Sequence, residues 1–245
     1  MSRFSAIIIG ALLFACQNVH AADLHVAAAA NLSAVVPELS SAFEKATRIH
    51  IVPSMGATAQ LTQQIENGAP FDVFLSADVE HVDQLIKSNC ILPDSRAIYA
   101  RGQLVVWAPR REDIRSLNDL TKPDIRAIGV AKPELAPYGE AAVAALKSAG
   151  LWDTVEKKIV YAPSIAVARQ FADTGNTEAS FTALALTIGQ PGSQFIVDEK
   201  LHKPIDQALG IVTASKEHKN ARAFTAFLTG PAAREILKRF GYSQP

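Results

Sequence analysis

The sequence predicts an α/β protein made of two doubly wound lobes that are joined by a two-strand hinge. Short apolar runs alternate with amphipathic stretches along the 245 residues, which is typical of strand–helix–strand units around a parallel sheet covered on both faces. The pattern starts afresh near residue 101, and an apolar run near residue 207 returns the chain to its first half. We therefore expect lobe I to comprise 22–101 and 206–245, and lobe II to comprise 102–205.

The first half of the chain contains three predicted strand–helix pairs. The run 24–30 is continuously apolar, and a helix over 32–47 is indicated by the four-residue spacing of Val35, Leu39 and Phe43. The other predicted elements of this half are a strand at 49–53, a helix from Thr58 to the stop signal Asn67–Gly68, a strand at 71–75 and a helix at 79–88.

The second half repeats this alternation and then returns to lobe I. An alanine-rich helix over 138–149 ends at Gly150, and a helix over 165–173 ends near Gly175, because glycine commonly follows the last turn of a helix. The predicted strands are 103–108, 125–130, 159–162, 179–184, 194–197 and 208–214. A terminal helical region over 220–240 is interrupted at Gly230–Pro231.

The first 21 residues have the parts of a secretory signal peptide. Arg3 precedes the apolar run Ala6 to Ala15, and Val19–His20–Ala21 is a small-x-small cleavage pattern. The apolar run is too short to span a bilayer. We expect cleavage after Ala21 and export to the periplasm, and attachment as a lipoprotein through Cys16 is the alternative.

Catalytic and metal-binding motifs are absent from the sequence. The 24 basic and 24 acidic residues balance, which argues against a general nucleic-acid binder. The histidines do not have metal-ligand spacing, and no Walker, GxSxG or GxGxxG motif occurs. Asp72 and Asp78 flank a predicted strand and are interpreted as turn and helix caps rather than as an acid–base pair. We therefore expect no cofactor, no directly coordinated metal and no enzyme activity.

The informative feature is the start of four predicted helices, each with small, hydroxyl or amide residues where a cation-based anion site would have Lys or Arg. A helix start offers free backbone N–H groups and roughly half a positive charge. Several such starts around one point bind an anion without a cationic side chain. Two of the four starts fall in each predicted lobe. They are Ala29–Ser33, Gly56–Gln60, Ala136–Gly139 and Pro163–Ala166.

Each of these starts has a simpler interpretation when it is taken alone. Asn31, Thr58 and Ser164 are residue types of ordinary N-caps, and Tyr138 is a residue type of packed cores. The case for a site rests on four starts in one chain, at the carboxyl ends of parallel strands, where open α/β sheets bind ligands. Asn31, Thr58 and Tyr138 would add side-chain donors. No Asp or Glu lies directly at the starts, which favours a fully deprotonated tetrahedral dianion.

Five segments together resemble the periplasmic molybdate-binding proteins of ABC importers, which have the type II periplasmic-binding-protein fold. The resemblance extends over nearly all of the chain after the signal peptide. The segments are AAAANL (27–32), LTQQIENGAPFDVFLSAD (61–78), KPELAPYG (132–139), GNTEASFTAL (175–184) and AFLTGPAAREILKRFGY (226–242).

In that family, neutral donors from the helix starts of both lobes hold the oxyanion. By position, the resemblance implies that the oxyanion-binding residues are Ala30, Asn31, Thr58, Tyr138 and Ile165, the last through its backbone amide. Ala57 and Thr58 stand where relatives usually have two serines. Some relatives use a tyrosine near the position of Ala183, and Tyr138 is expected to replace it here.

The resemblance implies an exported receptor that captures molybdate, with tungstate as a second ligand, and delivers it to an ABC permease at the inner membrane. We expect a monomer with no nucleic-acid partner. A receptor for another oxyanion, such as sulfate, thiosulfate or chromate, stays open as an alternative. An enzyme on the same fold is a further alternative and would need a titratable residue in the cleft.

Overall fold

Ten strands form two five-stranded sheets in residues 23–244, which are the residues that the computed structural model describes. The predicted signal peptide, residues 1–21 with Cys16, lies outside this range. The strands are β1 Asp23–Ala29, β2 His50–Gly56, β3 Val73–Leu75, β4 Ala97–Gly102, β5 Leu104–Ala108, β6 Ile128–Ala131, β7 Ile159–Ala162, β8 Ala179–Ala183, β9 Ser193–Ile196 and β10 Ile205–Ile211. The helices are α1 Val36–Thr47, α2 Thr58–Glu66, α3 Glu80–Lys87, α4 Pro137–Ser148, α5 Trp152–Val155, α6 Ile165–Thr174, α7 His218–Leu228 and α8 Pro231–Arg239.

The sheet of lobe I has the order β2–β1–β3–β10–β4. Strand β1 is parallel to β2 and β3, whereas β10 is antiparallel to β3 and β4. Alternate residues of β1 serve two cores, because successive side chains of a strand point to opposite faces. Leu24 and Val26 pack with α1, α7 and α8, and Ala27 packs with α2 and α3. Both faces of this sheet are therefore covered.

The sheet of lobe II has the order β7–β6–β8–β5–β9, with β6 parallel to β7 and β8, and with β5 antiparallel to β8 and β9. The predicted fold class is confirmed, with two lobes of strands and flanking helices. The sheets are mixed rather than wholly parallel, because β10 in lobe I and β5 in lobe II run antiparallel to their neighbouring strands. Among the described residues, no helix combines the length and the apolar character that crossing a bilayer requires.

The crossing between the lobes consists of two hydrogen-bonded antiparallel strands. Ile205 of β10 pairs with Gly102 of β4, and Asp206 pairs with Arg101. The Arg101 guanidinium donates to both Asp206 carboxylate oxygens, at 2.6 Å from Nε and 3.1 Å from Nη2. The two sheets lie on either side of the predicted lobe boundaries at 101/102 and 205/206. The exact boundaries stay a prediction.

The sequence misses or shifts three elements of lobe I. Strand β4 was not predicted, because Arg101 and the partly exposed residues at its start hide the apolar pattern of an edge strand. The predicted helix over 32–47 is divided into a 3-10 helix, Ala30–Leu32, and α1, with Pro37 in the first turn of α1. The returning strand begins at Ile205, three residues before the predicted position.

Helix α4 starts in close contact with the end of β6 because residue 139 is glycine. A Cβ atom on Gly139 would overlap the Ala131 carbonyl oxygen, which is a backbone atom of β6. The backbone of α4 therefore approaches β6 more closely than any other residue type permits. This contact fixes where the first turn of α4 lies.

We expect Gly139→Ala to destabilise the protein by about 1–3 kcal/mol, because the start of α4 must move away from β6. The matched control is Ser148→Ala on the exposed end of the same helix, which should change stability by less than about 0.5 kcal/mol. Urea unfolding followed by circular dichroism measures both values. A stability of Gly139→Ala equal to that of Ser148→Ala would contradict the close contact.

Candidate functional site

The carboxyl ends of two parallel strand pairs face each other between the lobes. Strands β1 and β2 of lobe I lead into the 3-10 helix Ala30–Leu32 and into α2. Strands β6 and β7 of lobe II lead into α4 and α6. Since parallel strands end at the same edge of a sheet, each lobe presents two helix starts side by side.

The four helix starts line one small cavity between the lobes. Its lining contains no Asp, Glu, Lys, Arg or His. The lining residues are Ala29, Ala30, Asn31, Ala57, Thr58, Ala77, Ala136, Pro137, Tyr138 and Ile165. All five residues that the sequence proposed belong to this set, and each is buried. The structure brings the five together, and their role in binding stays a prediction.

Three of the four helix starts have an alanine at the N-cap. Ala29, Ala57 and Ala136 offer no side-chain oxygen to the first N–H groups of their helices. Within residues 23–244, the N–H groups of Thr58 and Tyr138 donate to no carbonyl. These donors are therefore left for a group in the cavity.

The ordinary N-cap interpretation holds for only one of the three candidate caps. Asn31 lies inside the 3-10 helix, and Thr58 is the first residue of α2 rather than its cap. Ser164 is the N-cap of α6, where its hydroxyl accepts from the Val167 N–H at 3.3 Å. The N–H of Ile165, at the first position of α6, has no carbonyl partner among the described residues.

The Thr58 hydroxyl accepts a hydrogen bond and keeps its own proton available. Its Oγ1 accepts from the Ala77 N–H at 3.4 Å, and a hydroxyl can donate one hydrogen bond in addition. Ala77 follows β3 and lines the cavity. Sequence reasoning did not propose it as a site residue, because an alanine after a strand carries no motif. Thr58 therefore offers both a backbone and a side-chain donor.

The sequence suggested that the Asn31 side chain donates to the ligand, and in the structure both of its N–H bonds have partners within the protein. Its Nδ2 donates to Gln207 Oε1 at 2.8 Å and to the Tyr242 hydroxyl at 2.9 Å. The Tyr242 hydroxyl in turn donates to the Asn31 carbonyl at 3.0 Å. Both N–H bonds of the amide are therefore used inside the protein, and the backbone N–H is the donor that Asn31 has left for a ligand.

The Tyr138 hydroxyl lies at the crossing between the lobes. A Cβ atom on Gly102 would overlap this hydroxyl and would be 3.1 Å from Gln207 Nε2. Burial raises the pKa of Tyr138 well above its ordinary value, so the hydroxyl stays protonated at neutral pH. The Tyr138 hydroxyl is therefore at the crossing, whereas the backbone N–H of Tyr138 is at the start of α4.

The two lobes touch around the cavity. The Ala59 N–H of α2 in lobe I donates to the Leu135 carbonyl of lobe II at 3.2 Å. The apolar cluster of lobe II continues into Ala29, Ala30 and Ala77 of lobe I. The structure therefore has the lobes closed against each other.

Charged side chains lie beside the cavity in a separate, wider groove. This groove shares only Ala77 and Pro137 with the cavity and contains Asp78, His81 and Glu140. Burial lowers the pKa of His81, but the 2.7 Å hydrogen bond with Asp78 and the nearby carboxylates raise it, with a net rise above 6.5. The titratable histidine is thus next to the candidate site and not in its lining.

Comparison with known proteins identifies the family. The sequence profile described as bacterial extracellular solute-binding protein matches residues 24–243. The chain belongs to this family. The solute-binding chain is 38% identical over 239 residues to the molybdate-binding protein ModA of Azotobacter vinelandii, covering 96% of this chain and 94% of the relative. It is 34% identical to ModA of Rhodobacter capsulatus, covering 91% and 88% of the two chains.

A solved structure supports the same assignment. The periplasmic molybdate-binding protein of Azotobacter vinelandii matches the solute-binding chain with a TM-score of 0.86 at 33% identity, over 91% of this chain and 99% of that one. The predicted resemblance is thereby confirmed at the level of the family and of the whole fold.

We expect Gly102→Ala to destabilise the solute-binding protein by about 1–3 kcal/mol, because the added methyl group overlaps the Tyr138 hydroxyl. In a Tyr138→Phe background this loss should be smaller by about 1 kcal/mol, since the overlapping atom is gone. Chemical denaturation of the four proteins of this cycle measures the coupling. Additive losses would place the hydroxyl away from Gly102.

Proposed function

We propose that this chain is a receptor that captures molybdate, with tungstate as a second ligand, and delivers it to an ABC permease. The observation that carries the proposal is the uncharged cavity, which is closed by two helix starts from each lobe. The molybdate-binding relatives at 38% and 34% identity support the choice of ligand. Molybdenum is then bound as its oxyanion, without direct coordination by the protein.

The proposed donors are the backbone N–H groups of Ala30, Asn31, Thr58, Tyr138 and Ile165, together with the Thr58 hydroxyl. Each hydrogen bond to a charged group contributes about 1.5–3 kcal/mol. Six of them give roughly 9–18 kcal/mol, from which the cost of dehydrating the dianion and of ordering the lobes is subtracted. A net binding free energy of about −8 to −10 kcal/mol corresponds to a micromolar or tighter dissociation constant.

A cavity without a carboxylate in its lining favours an oxyanion that carries no proton. A protonated oxyanion has an O–H group that needs an acceptor, and the lining contains no carboxylate. Sulfate has the charge and shape of molybdate but is smaller, so the fixed N–H groups of the two lobes cannot all reach it at hydrogen-bond distance. The cavity therefore selects the larger dianions.

The family and the sequence support a proposal for the location, the oligomeric state and the movement of the receptor. We assign the protein to the periplasm after removal of residues 1–21, and we assign it a monomeric state and no catalytic activity. Lobe I, 22–101 with 206–245, and lobe II, 102–205, would move relative to each other at the paired strands β4 and β10. Closure on the dianion would prepare the form that the permease recognises.

We expect molybdate and tungstate to raise the melting temperature strongly. At a ligand concentration of about 1,000 times the dissociation constant, the stabilisation is about 4 kcal/mol, or roughly 8–16 °C for a chain of this size. Sulfate and phosphate at the same concentration should give little change. Differential scanning fluorimetry with a panel of oxyanions measures this, and equal shifts with sulfate would overturn the choice of ligand.

We expect Thr58→Val to weaken molybdate binding by about 1–3 kcal/mol, because it removes a charge-assisted donor and keeps the side-chain volume. Thr58→Ser should restore most of the affinity. The matched control is Thr62→Val, one turn later on α2, which removes a hydroxyl that bonds the Thr58 carbonyl and does not line the cavity. Calorimetry with equal affinities for all four proteins would remove the Thr58 hydroxyl from the site.

A further inference from the structure

We infer that Gln207 is a positioning residue for the oxyanion cavity: from the crossing strand β10 it holds two of the lobe I segments that line the cavity, the turn of Asn31 and the turn of Ala77. The inference rests on the proposed function. It names a residue of the crossing strand that forms hydrogen bonds with two turns of the proposed site. Gln207 itself is not a lining residue of the cavity.

The Gln207 side chain bridges two cavity segments. Its Oε1 accepts from Asn31 Nδ2 at 2.8 Å. Its Nε2 donates to the Ala77 carbonyl at 3.3 Å and to the Ile205 carbonyl at 3.2 Å. Asn31 belongs to the turn after β1, and Ala77 belongs to the turn after β3. One amide therefore fixes the two turns relative to each other and to β10.

Gln207, Asn31 and Tyr242 form a buried polar cluster. An irregularity in the backbone of β10 accompanies the position of the Gln207 amide in this cluster. The pairing of β10 with β4 changes register between Gln207 and Ala208, and such a bulge re-aims a side chain. Gln207 is fully buried, and a buried polar group is retained at low cost only when its hydrogen bonds are made. An amide is suited to this place because it accepts and donates at the same end of the side chain.

Tyr242 completes the support of Asn31 from the C-terminal segment. Its hydroxyl accepts from Asn31 Nδ2 and donates to the Asn31 carbonyl. Burial raises the pKa of Tyr242 above its ordinary value, so the hydroxyl remains able to donate. Asn31 is thus held at its side chain and at its backbone, which fixes the direction of the neighbouring N–H groups.

The cluster also meets lobe II. Gln207 Nε2 and the Tyr138 hydroxyl both lie beside Gly102, at the crossing. Tyr138 is in the first turn of α4 and lines the cavity from lobe II. The Tyr138 side chain of lobe II therefore lies next to the amide that holds Asn31 and Ala77.

Loss of Gln207 would affect the donors more than the fold. The buried Asn31 amide and the Ala77 carbonyl would each lose a partner, and both turns would relax. The apolar residues of β10, Ala208, Leu209 and Ile211, would stay buried in the lobe I cores. The donors would then be less well preorganised, and ordering them would cost part of the binding free energy.

The test compares Gln207→Leu and Tyr242→Phe with wild type by calorimetric titration with molybdate, tungstate and sulfate. We expect both variants to bind molybdate roughly 10-fold more weakly, and we expect the ratio of molybdate to sulfate affinity to fall. The matched control is Ser95→Ala, whose hydroxyl accepts from the Ile211 N–H at the far end of the same strand. This control should lower the melting temperature and leave the affinity within about twofold of wild type.

The outcomes separate the inference from the proposed function. If wild type binds molybdate and both variants bind it equally tightly, the inference is overturned and the receptor function stands. If wild type binds neither molybdate nor tungstate, the proposed function is overturned and the inference with it. Should Gln207→Leu fail to fold, Gln207→Met decides the question, because its unbranched side chain has the length of glutamine and lacks both hydrogen-bonding groups.

Discussion

The cavity depends on helix starts whose first N–H groups are not satisfied by their own caps. An N-cap Ser, Thr, Asp or Asn typically stabilises a helix by about 1 kcal/mol relative to alanine. The chain has alanine at three of these positions, Ala29, Ala57 and Ala136, and so gives up this stabilisation where the lobes meet. The capped exception is α6, where Ser164 binds the Val167 N–H and leaves the earlier N–H of Ile165 available.

The division of these donors between two lobes connects binding with shape. Neither lobe alone surrounds an anion, because each supplies two of the four helix starts. In the closed arrangement the lobes also touch through the Ala59–Leu135 hydrogen bond and the packing of small alanines. If the proposed function holds, a dianion bound to all four helix starts would stabilise the closed form over the open one, and closure would then signal loading. The carboxylates and the histidine of the wide groove, Asp78, Glu140 and His81, lie outside the lining of the cavity.

Local sequence patterns were sufficient for the fold class and for the segments of the site, because alternation and helix starts are encoded within a few residues. The resemblance then placed the five proposed residues, and all of them lie at one cavity. The patterns could not show that Gln207 and Tyr242 hold Asn31, since these partners are 176 and 211 positions away from it. For the same reason the Asn31 side chain was expected to face a ligand. Ala77 was not predicted, because its contribution is made by the backbone N–H and carbonyl groups, which an alanine side chain does not indicate.

A site made of backbone donors selects by geometry rather than by charge. Lysine and arginine side chains can adjust their conformation to anions of different size, because they are long and flexible. The N–H groups of Thr58, Tyr138 and Ile165 cannot do so, since each belongs to a helix that is packed on its own sheet. Discrimination between dianions of equal charge is then limited by how rigidly the helix starts are held. That rigidity comes from groups that never touch the ligand, which is why the buried polar cluster at the crossing matters for specificity as well as for affinity.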